Sequence, residues 1–178
     1  GLRTLFNLLG PLTNPAGASV QVLGVYEPGL TEKMALVLKN LGTREAFVVH
    51  GEGTFDEISI CGPTRISHLK HGATTTFELT PEGLGLRRAA KEAIRGGNAR
   101  ENARIVRTLL EGEQGPRRDV VLLNAAASFV AAGLDPDFRA GIDRAAASID
   151  SGKAGQKLDA LIRFSTSCVR SVRSMAGV

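Results

Sequence analysis

The sequence HGEGTFDEISI at residues 50–60 decides how this chain is organised. An apolar run at residues 46–49 ends abruptly at a His-Gly pair, and two adjacent carboxylates, Asp56 and Glu57, follow within a glycine-containing loop. Open α/β sheets place their ligand sites in loops of this kind, at the carboxyl ends of their strands. The pattern therefore predicts a ligand site where a buried strand ends.

Two neighbouring carboxylates repel each other, and a hard cation such as Mg²⁺ is the partner that best keeps both of them ionised. Successive side chains of a flat strand point to opposite faces, so Asp56 and Glu57 can share one metal ion only where the backbone bends. Thr54, Phe55 and the loop glycines permit such a bend. Taken alone, these residues favour a solvated turn instead, because short motifs often match by chance.

The segments around this loop predict an α/β fold. A strand at 20–26, a helix at about 31–42 and a strand at 46–50 form a βαβ unit, and the nearly continuous apolar strands indicate a covered parallel sheet. Two β-rich pieces at 64–69 and 73–79 predict an antiparallel hairpin. The expected sheet is mostly parallel, with one antiparallel hairpin and flanking helices.

The C-terminal half is predicted to be helical. Asn98 with Glu101 three residues later is typical of a capping box, and Asn124 in the most apolar helix is expected to bind a loop backbone. His50 is expected to cap hydrogen bonds at its strand end. Apolar periodicity and glycine breaks predict helices at 86–95, 98–111, 119–132, 136–149 and 153–164, with the tail at 165–178 continuing as a helix.

Composition excludes several classes of protein. A chain of 178 residues with 43% hydrophobic and 22% charged residues is typical of one globular domain. The net charge is +4, but no aromatic residues interleave with the scattered basic residues, so a nucleic-acid partner is not expected. Two cysteines are too few for a disulfide framework and indicate a reducing, cytoplasmic location. No apolar run approaches the ~18 residues of a membrane helix.

Long stretches of the chain resemble anthranilate phosphoribosyltransferase. The resemblance extends to about Phe164, which divides the chain into a C-terminal part of the α/β catalytic domain at 1–164 and a tail at 165–178. It implies a partial fold of the nucleoside phosphorylase and phosphoribosyltransferase type. The matching segments are RTLFNLLGPLTNPA at 3–16, VVHGEGTFDEIS at 48–59, GGNARENARIVRTLLEGEQGP at 96–116 and RRDVVLLNAAASFVAAG at 117–133.

The resemblance implies an enzyme of tryptophan biosynthesis. In that family the amine of anthranilate attacks the anomeric carbon of phosphoribosyl diphosphate (PRPP), and diphosphate leaves. The metal-binding Asp-Glu pair of the family falls on Asp56 and Glu57, which now favours a Mg²⁺ site over the solvated turn. The Arg that contacts the anthranilate carboxylate falls on Arg3. The resemblance also implies a homodimeric whole protein, and the lack of a long apolar run predicts no membrane partner.

Parts of the family pattern have no counterpart in these residues. The GTGGD diphosphate-binding loop and the N-terminal helical domain are absent, so we expect this chain alone to be inactive and to self-associate. Two alternatives remain open. One is a pyrimidine nucleoside phosphorylase of the same fold, which anthranilate affinity would distinguish. The other is a non-catalytic paralogue that binds nucleic acid through a basic face, which steep salt dependence of DNA binding would reveal.

Overall fold

Four strands form a single sheet with helices against both of its faces. The computed structural model describes residues 10, 12–13, 15–53 and 55–176, with the backbone alone for 169–176. The predicted α/β class is confirmed. Residues 2–9, whose apolar spacing also predicts a helix, lie outside the described residues. The strands are β1 (Val20–Gly24), β2 (Glu45–Gly51), β3 (Thr64–Lys70) and β4 (Ala73–Leu79). The helices are α1 (Leu30–Asn40), α2 (Ala99–Leu110), α3 (Pro116–Ala131), α4 (Phe138–Asp150) and α5 (Lys153–Ala176).

The strand order is β1-β2-β3-β4. Strands β1 and β2 are parallel and joined through α1, which confirms the predicted βαβ unit. The predicted hairpin of β3 and β4 is also confirmed. The expectation of a mostly parallel sheet needs correction, because β3 pairs antiparallel with β2 and the described sheet is mixed. The loop between β2 and β3 folds back on itself without a crossover helix, and an antiparallel neighbour requires none.

Every residue of β2 is buried, which explains its continuous apolar sequence. Helix α1 covers one face of the sheet and helix α3 covers the other, so β2 contributes alternate side chains to two separate cores. On the first face, Ala46 and Val48 pack with Met34, Ala35 and Leu38. On the second face, Phe47 and Val49 pack with Leu123, Ala127 and Val130.

The predicted α-helix at 86–95 is wrong. This segment is irregular apart from a short 3-10 helix at Lys91–Ile94. The Ala89 N–H donates to the Ile60 carbonyl oxygen at 3.0 Å, outside any helix. The segment therefore contributes a backbone hydrogen bond and apolar side chains to the core, which overrides its helical composition.

The remaining helices follow the sequence signals, with small shifts at their ends. The capping box of α2 is present, with reciprocal hydrogen bonds between Asn98 and Glu101. Helix α3 begins at Pro116, three residues before the predicted start, because proline is favoured in the first turn. Helix α4 begins after Asp137, whose side chain accepts from the Ala140 N–H. Helix α5 runs to Ala176, so the helical tail is confirmed for its described residues.

Candidate active site

The loop at residues 52–63, here called the acidic loop, turns sharply as it leaves β2. The Gly51 N–H donates to the Phe55 carbonyl oxygen at 2.9 Å, and the Phe55 N–H donates back to Gly51 at 3.2 Å. Gly53 has a φ of +88°, a left-handed conformation that favours glycine. The bend that the sequence allows after His50 is therefore present.

Asn124 of α3 anchors the acidic loop through hydrogen bonds to its backbone. Its Oδ1 accepts from the Ile58 N–H at 2.9 Å, and its Nδ2 donates to the Ile58 carbonyl oxygen at 2.8 Å. Ile58 is fully buried, so without these bonds both of its backbone groups would lose partners away from water. The predicted structural role of Asn124 is confirmed. The contact fixes the loop immediately after the two acids.

Gly24, the last residue of β1, lies directly against the backbone of Asp56. A Cβ atom built on Gly24 would lie 1.6 Å from the Asp56 carbonyl oxygen, which leaves no room for any side chain. The missing side chain lets the acidic loop cross the carboxyl end of the parallel pair β1 and β2. This is the sheet edge at which the sequence predicts a ligand site.

Asp56 and Glu57 are both exposed at this edge. Partial burial of the Glu57 carboxyl raises its pKa, and the negative charge of Asp56 raises it further. Neither acid forms a salt bridge with a side chain of the described residues. The two carboxylates therefore repel each other and have no ion-pair partner among the described residues, and both properties favour a bound metal ion.

The donor set fits Mg²⁺. Carboxylate oxygens are hard ligands, and Mg²⁺ is usually held by one or two of them, completed by waters and substrate phosphates. The described residues contain no cluster of three or more His, Cys, Asp or Glu side chains that would form an all-protein metal site. Metal binding by Asp56 and Glu57 remains a prediction. The predicted substrate-binding residue, Arg3, lies outside the described residues.

Glu57 lines a cleft of about 440 Å³. The acidic loop forms one side of the cleft with Gly53 and Phe55, and the segment around the short 3-10 helix forms the other with Lys91 and Arg95. The sequence showed these two basic residues only as members of a predicted helix. Their approach to the acidic loop spans some 38 positions of chain, and no local sequence pattern signals such a contact.

His50 plays the structural role that its position predicts. Its ring Nδ1 lies 2.8 Å from the Val25 carbonyl oxygen and donates to it, which ties the end of β2 to the segment after β1. The side chain is 9% exposed. Its hydrogen bond confirms the expectation that His50 caps the strand end.

The family comparison decides the class of protein. The sequence model described as the glycosyl transferase family, a/b domain, matches residues 1–155. The chain belongs to this family. No helix in the described part of this glycosyl transferase domain is both long and apolar enough to cross a bilayer.

Three similar proteins are all anthranilate phosphoribosyltransferases. The anthranilate phosphoribosyltransferase of Syntrophobacter fumaroxidans is 55% identical over 164 residues, which are 92% of this chain and 49% of that protein. The crystal structure of the enzyme from Thermus thermophilus superposes with a TM-score of 0.84 at 45% identity, covering 92% of this chain and 48% of that one. The Saccharomyces cerevisiae enzyme in complex with PRPP and Mg superposes with a TM-score of 0.78 at 32% identity, covering 89% of this chain and 46% of that one.

These relatives confirm the resemblance to anthranilate phosphoribosyltransferase that the motifs indicate. The glycosyl transferase domain described here spans about half the length of the relatives that it matches.

Proposed function

We propose that this chain is the C-terminal part of the catalytic α/β domain of an anthranilate phosphoribosyltransferase, with 1–164 as that domain and 165–178 as its tail. The whole protein would transfer the phosphoribosyl group of PRPP to the amine of anthranilate and release diphosphate. One observation carries the proposal. Asp56 and Glu57 lie together beside a cleft at the carboxyl edge of the sheet, and neither forms a salt bridge with a described residue.

Asp56 and Glu57 would contribute to the reaction by holding a positive charge at a fixed position in the cleft. Asp56 and Glu57 would bind Mg²⁺, which when bound offsets the negative charge of the diphosphate leaving group. Asn124 and the contact at Gly24 fix the loop that carries the two acids, so the ligands need little rearrangement. Preorganised charge of this kind supplies much of the catalysis in enzymes that move charged groups.

Arg3 would recognise the second substrate. A guanidinium group offers two parallel N–H donors that match a carboxylate, so Arg3 is suited to orient anthranilate by its acid group. Holding amine and sugar together converts the attack into an effectively intramolecular step. We assign this role from the match of residues 3–16 to the family.

The whole protein is proposed to be a cytoplasmic homodimer. The cysteines of the described residues, Cys61 and Cys168, are free, which suits a reducing compartment. The dimer follows from the resemblance, whose helical N-terminal domain usually forms the subunit contact. Neither a membrane nor a nucleic acid is proposed as a partner.

The decisive experiment measures anthranilate consumption by the whole protein that contains this chain, with PRPP and Mg²⁺. Asp56→Asn and Glu57→Gln are expected to lower kcat/KM by at least about 100-fold, which corresponds to roughly 3 kcal/mol of transition-state stabilisation. Glu52→Gln, a neighbouring carboxylate of the same loop, is the matched control. Unchanged turnover in both acid variants, or phosphorolysis of a pyrimidine nucleoside in place of transfer to anthranilate, would contradict the proposal.

A further inference from the structure

The cleft beside Glu57 has an acidic side and a basic side. Glu57 belongs to the acidic loop, whereas Lys91 and Arg95 belong to the segment that faces this loop. The volume of about 440 Å³ lies within the range of small-molecule sites, roughly 300–1,000 Å³. A ligand in this cleft would therefore meet a metal-binding carboxylate on one side and two cations on the other.

Lys91 reaches across the cleft to the acidic loop. Its Nζ donates to the Gly53 carbonyl oxygen at 3.3 Å and lies 5.5 Å from the centroid of the Phe55 ring. A Cβ atom on Gly53 would overlap the same nitrogen, so glycine at that position leaves room for this placement of the flexible lysine side chain. An ammonium group carries three N–H donors, and the Gly53 bond uses one of them.

The backbone of Arg95 is held in place by a hydrogen bond, whereas its side chain forms no ion pair with a described residue. Its carbonyl oxygen accepts from the Arg117 guanidinium at 2.9 Å, which fixes the start of the glycine pair before α2. In the part of the chain that the structure describes, neither Lys91 nor Arg95 forms a salt bridge. Nearby Arg88, by contrast, is neutralised by Glu82 at 2.9 Å.

This arrangement selects for one ligand chemistry. A ligand that uses both sides needs oxygens that share a divalent cation with the carboxylates and further oxygens that accept from Lys and Arg. Phosphate oxygens do both, and Lys and Arg are the side chains that proteins commonly place against them. A single carboxylate or a neutral base would leave one side of the cleft without a partner.

We propose that Lys91 and Arg95 are substrate-contacting residues that bind the phosphate oxygens of a metal-bound diphosphate group opposite Asp56 and Glu57. The inference rests on the proposed function and adds to it a basic contact surface that lies within this chain. Lys91 would release or share its bond to Gly53 when the ligand enters. Arg95 would supply a forked donor to a second phosphate oxygen.

Calorimetric titration of the whole protein that contains this chain with inorganic diphosphate and Mn²⁺, and with Mn²⁺ alone, tests the inference. Lys91→Ala and Arg95→Ala are each expected to weaken diphosphate binding about 5- to 10-fold and to leave the affinity for Mn²⁺ alone unchanged. Lys91→Arg should retain most of the affinity. Lys39→Ala and Arg100→Ala remove the same charges from exposed positions on α1 and α2 and should have no effect.

In turnover assays of the same protein, these substitutions should raise the KM for PRPP by a similar factor while kcat stays nearly constant. Two outcomes would overturn the inference: diphosphate affinity equal to wild type in both alanine variants, or no metal-dependent diphosphate binding by the wild-type protein. The proposed function fails separately. It fails when Asp56→Asn and Glu57→Gln leave both Mn²⁺ affinity and turnover unchanged, whatever Lys91 and Arg95 do.

Discussion

The two ends of β2 carry carboxylates in opposite electrostatic states. At the amino end, Glu45 is buried and accepts hydrogen bonds from His68 Nε2 at 3.0 Å and Lys70 Nζ at 3.1 Å. Burial alone would raise the pKa of Glu45, but these two partners lower it below its ordinary value. At the carboxyl end, burial and the charge of Asp56 raise the pKa of Glu57.

The contrast separates a carboxylate that stabilises the fold from a pair that is suited to a ligand. At the amino end, the Glu45 carboxylate has two cationic or hydrogen-bonding partners, and one of them, His68, also stacks on Phe47 with ring centroids 4.2 Å apart. At the carboxyl end, neither Asp56 nor Glu57 forms a salt bridge with a described residue. A carboxyl with a raised pKa beside a cleft, as at Glu57, is a candidate for a functional group, and the difference can be tested at each end of the strand.

Of the substitutions considered, Gly24→Ala should lower the free energy of unfolding most, because it disturbs the backbone at the carboxyl end of β1 and β2. The new Cβ would overlap the Asp56 carbonyl oxygen, which is backbone and cannot rotate away. We expect a loss of about 3 kcal/mol or more in the free energy of unfolding, measured by urea denaturation, because overpacking forces the backbone to shift. Gly155→Ala adds a methyl group inside α5, where no atom lies within 4 Å, and should be neutral or slightly stabilising. Equal stability of both variants would contradict the close approach.

Asn124→Ala should have the next largest effect. It removes both partners of the Ile58 backbone and leaves a buried donor and acceptor unsatisfied, at a cost of about 2–3 kcal/mol in unfolding free energy. Asn124→Asp keeps the acceptor, but the ionised carboxylate has no donor for the Ile58 carbonyl oxygen, whereas the protonated carboxyl supplies one O–H. The stability of this variant should therefore come closest to that of the wild type at low pH. A loss below about 0.5 kcal/mol in Asn124→Ala would show that the loop needs no anchor.

Sequence predicted the parts of this molecule that depend on local patterns. The βαβ unit follows from the apolar runs and the glycine stop at residue 42, and the capping box at Asn98 needs only four residues. The anchoring role of Asn124 followed from a polar side chain in an apolar helix. In each case the prediction needs only a local pattern, even though the backbone that Asn124 binds, that of Ile58, lies 66 positions away.

Long-range choices were not predictable in this way. The antiparallel pairing of β2 with β3 depends on how the acidic loop folds, and its sequence is compatible with either direction. The segment at 86–95 has helical composition, yet Ala89 donates to Ile60 instead. The approach of Lys91 to Gly53 joins positions that no periodicity relates. Tertiary contacts decided all three.

Glu45→Gln should lower the free energy of unfolding by about 1–3 kcal/mol at neutral pH. Hydrogen bonds to the neutral amide of glutamine are weaker than those to the charged carboxylate of the wild type. The pKa of Glu45 is lowered in the folded state, so its contribution is present above the ordinary Glu value of about 4.3 and is lost as the pH falls through the folded value. The difference in unfolding free energy between variant and wild type should therefore shrink below about pH 4. A difference that is constant from about pH 3 to about pH 7 would show that the charge contributes nothing.

Glu57→Gln should change the free energy of unfolding least, and it should raise this free energy where the other substitutions lower it. The pKa of Glu57 is raised in the folded state, so the wild type loses stability as the pH rises from the ordinary value through the folded one, and the variant avoids this loss. At about pH 7 we expect the variant to equal or exceed the wild type by no more than about 0.5 kcal/mol. Millimolar Mg²⁺ should reverse the order, because a ligand that binds only the folded state stabilises it by mass action. Thermal unfolding of both proteins with and without Mg²⁺ measures this reversal, and a variant that responds to Mg²⁺ as the wild type does would show that the cation binds elsewhere.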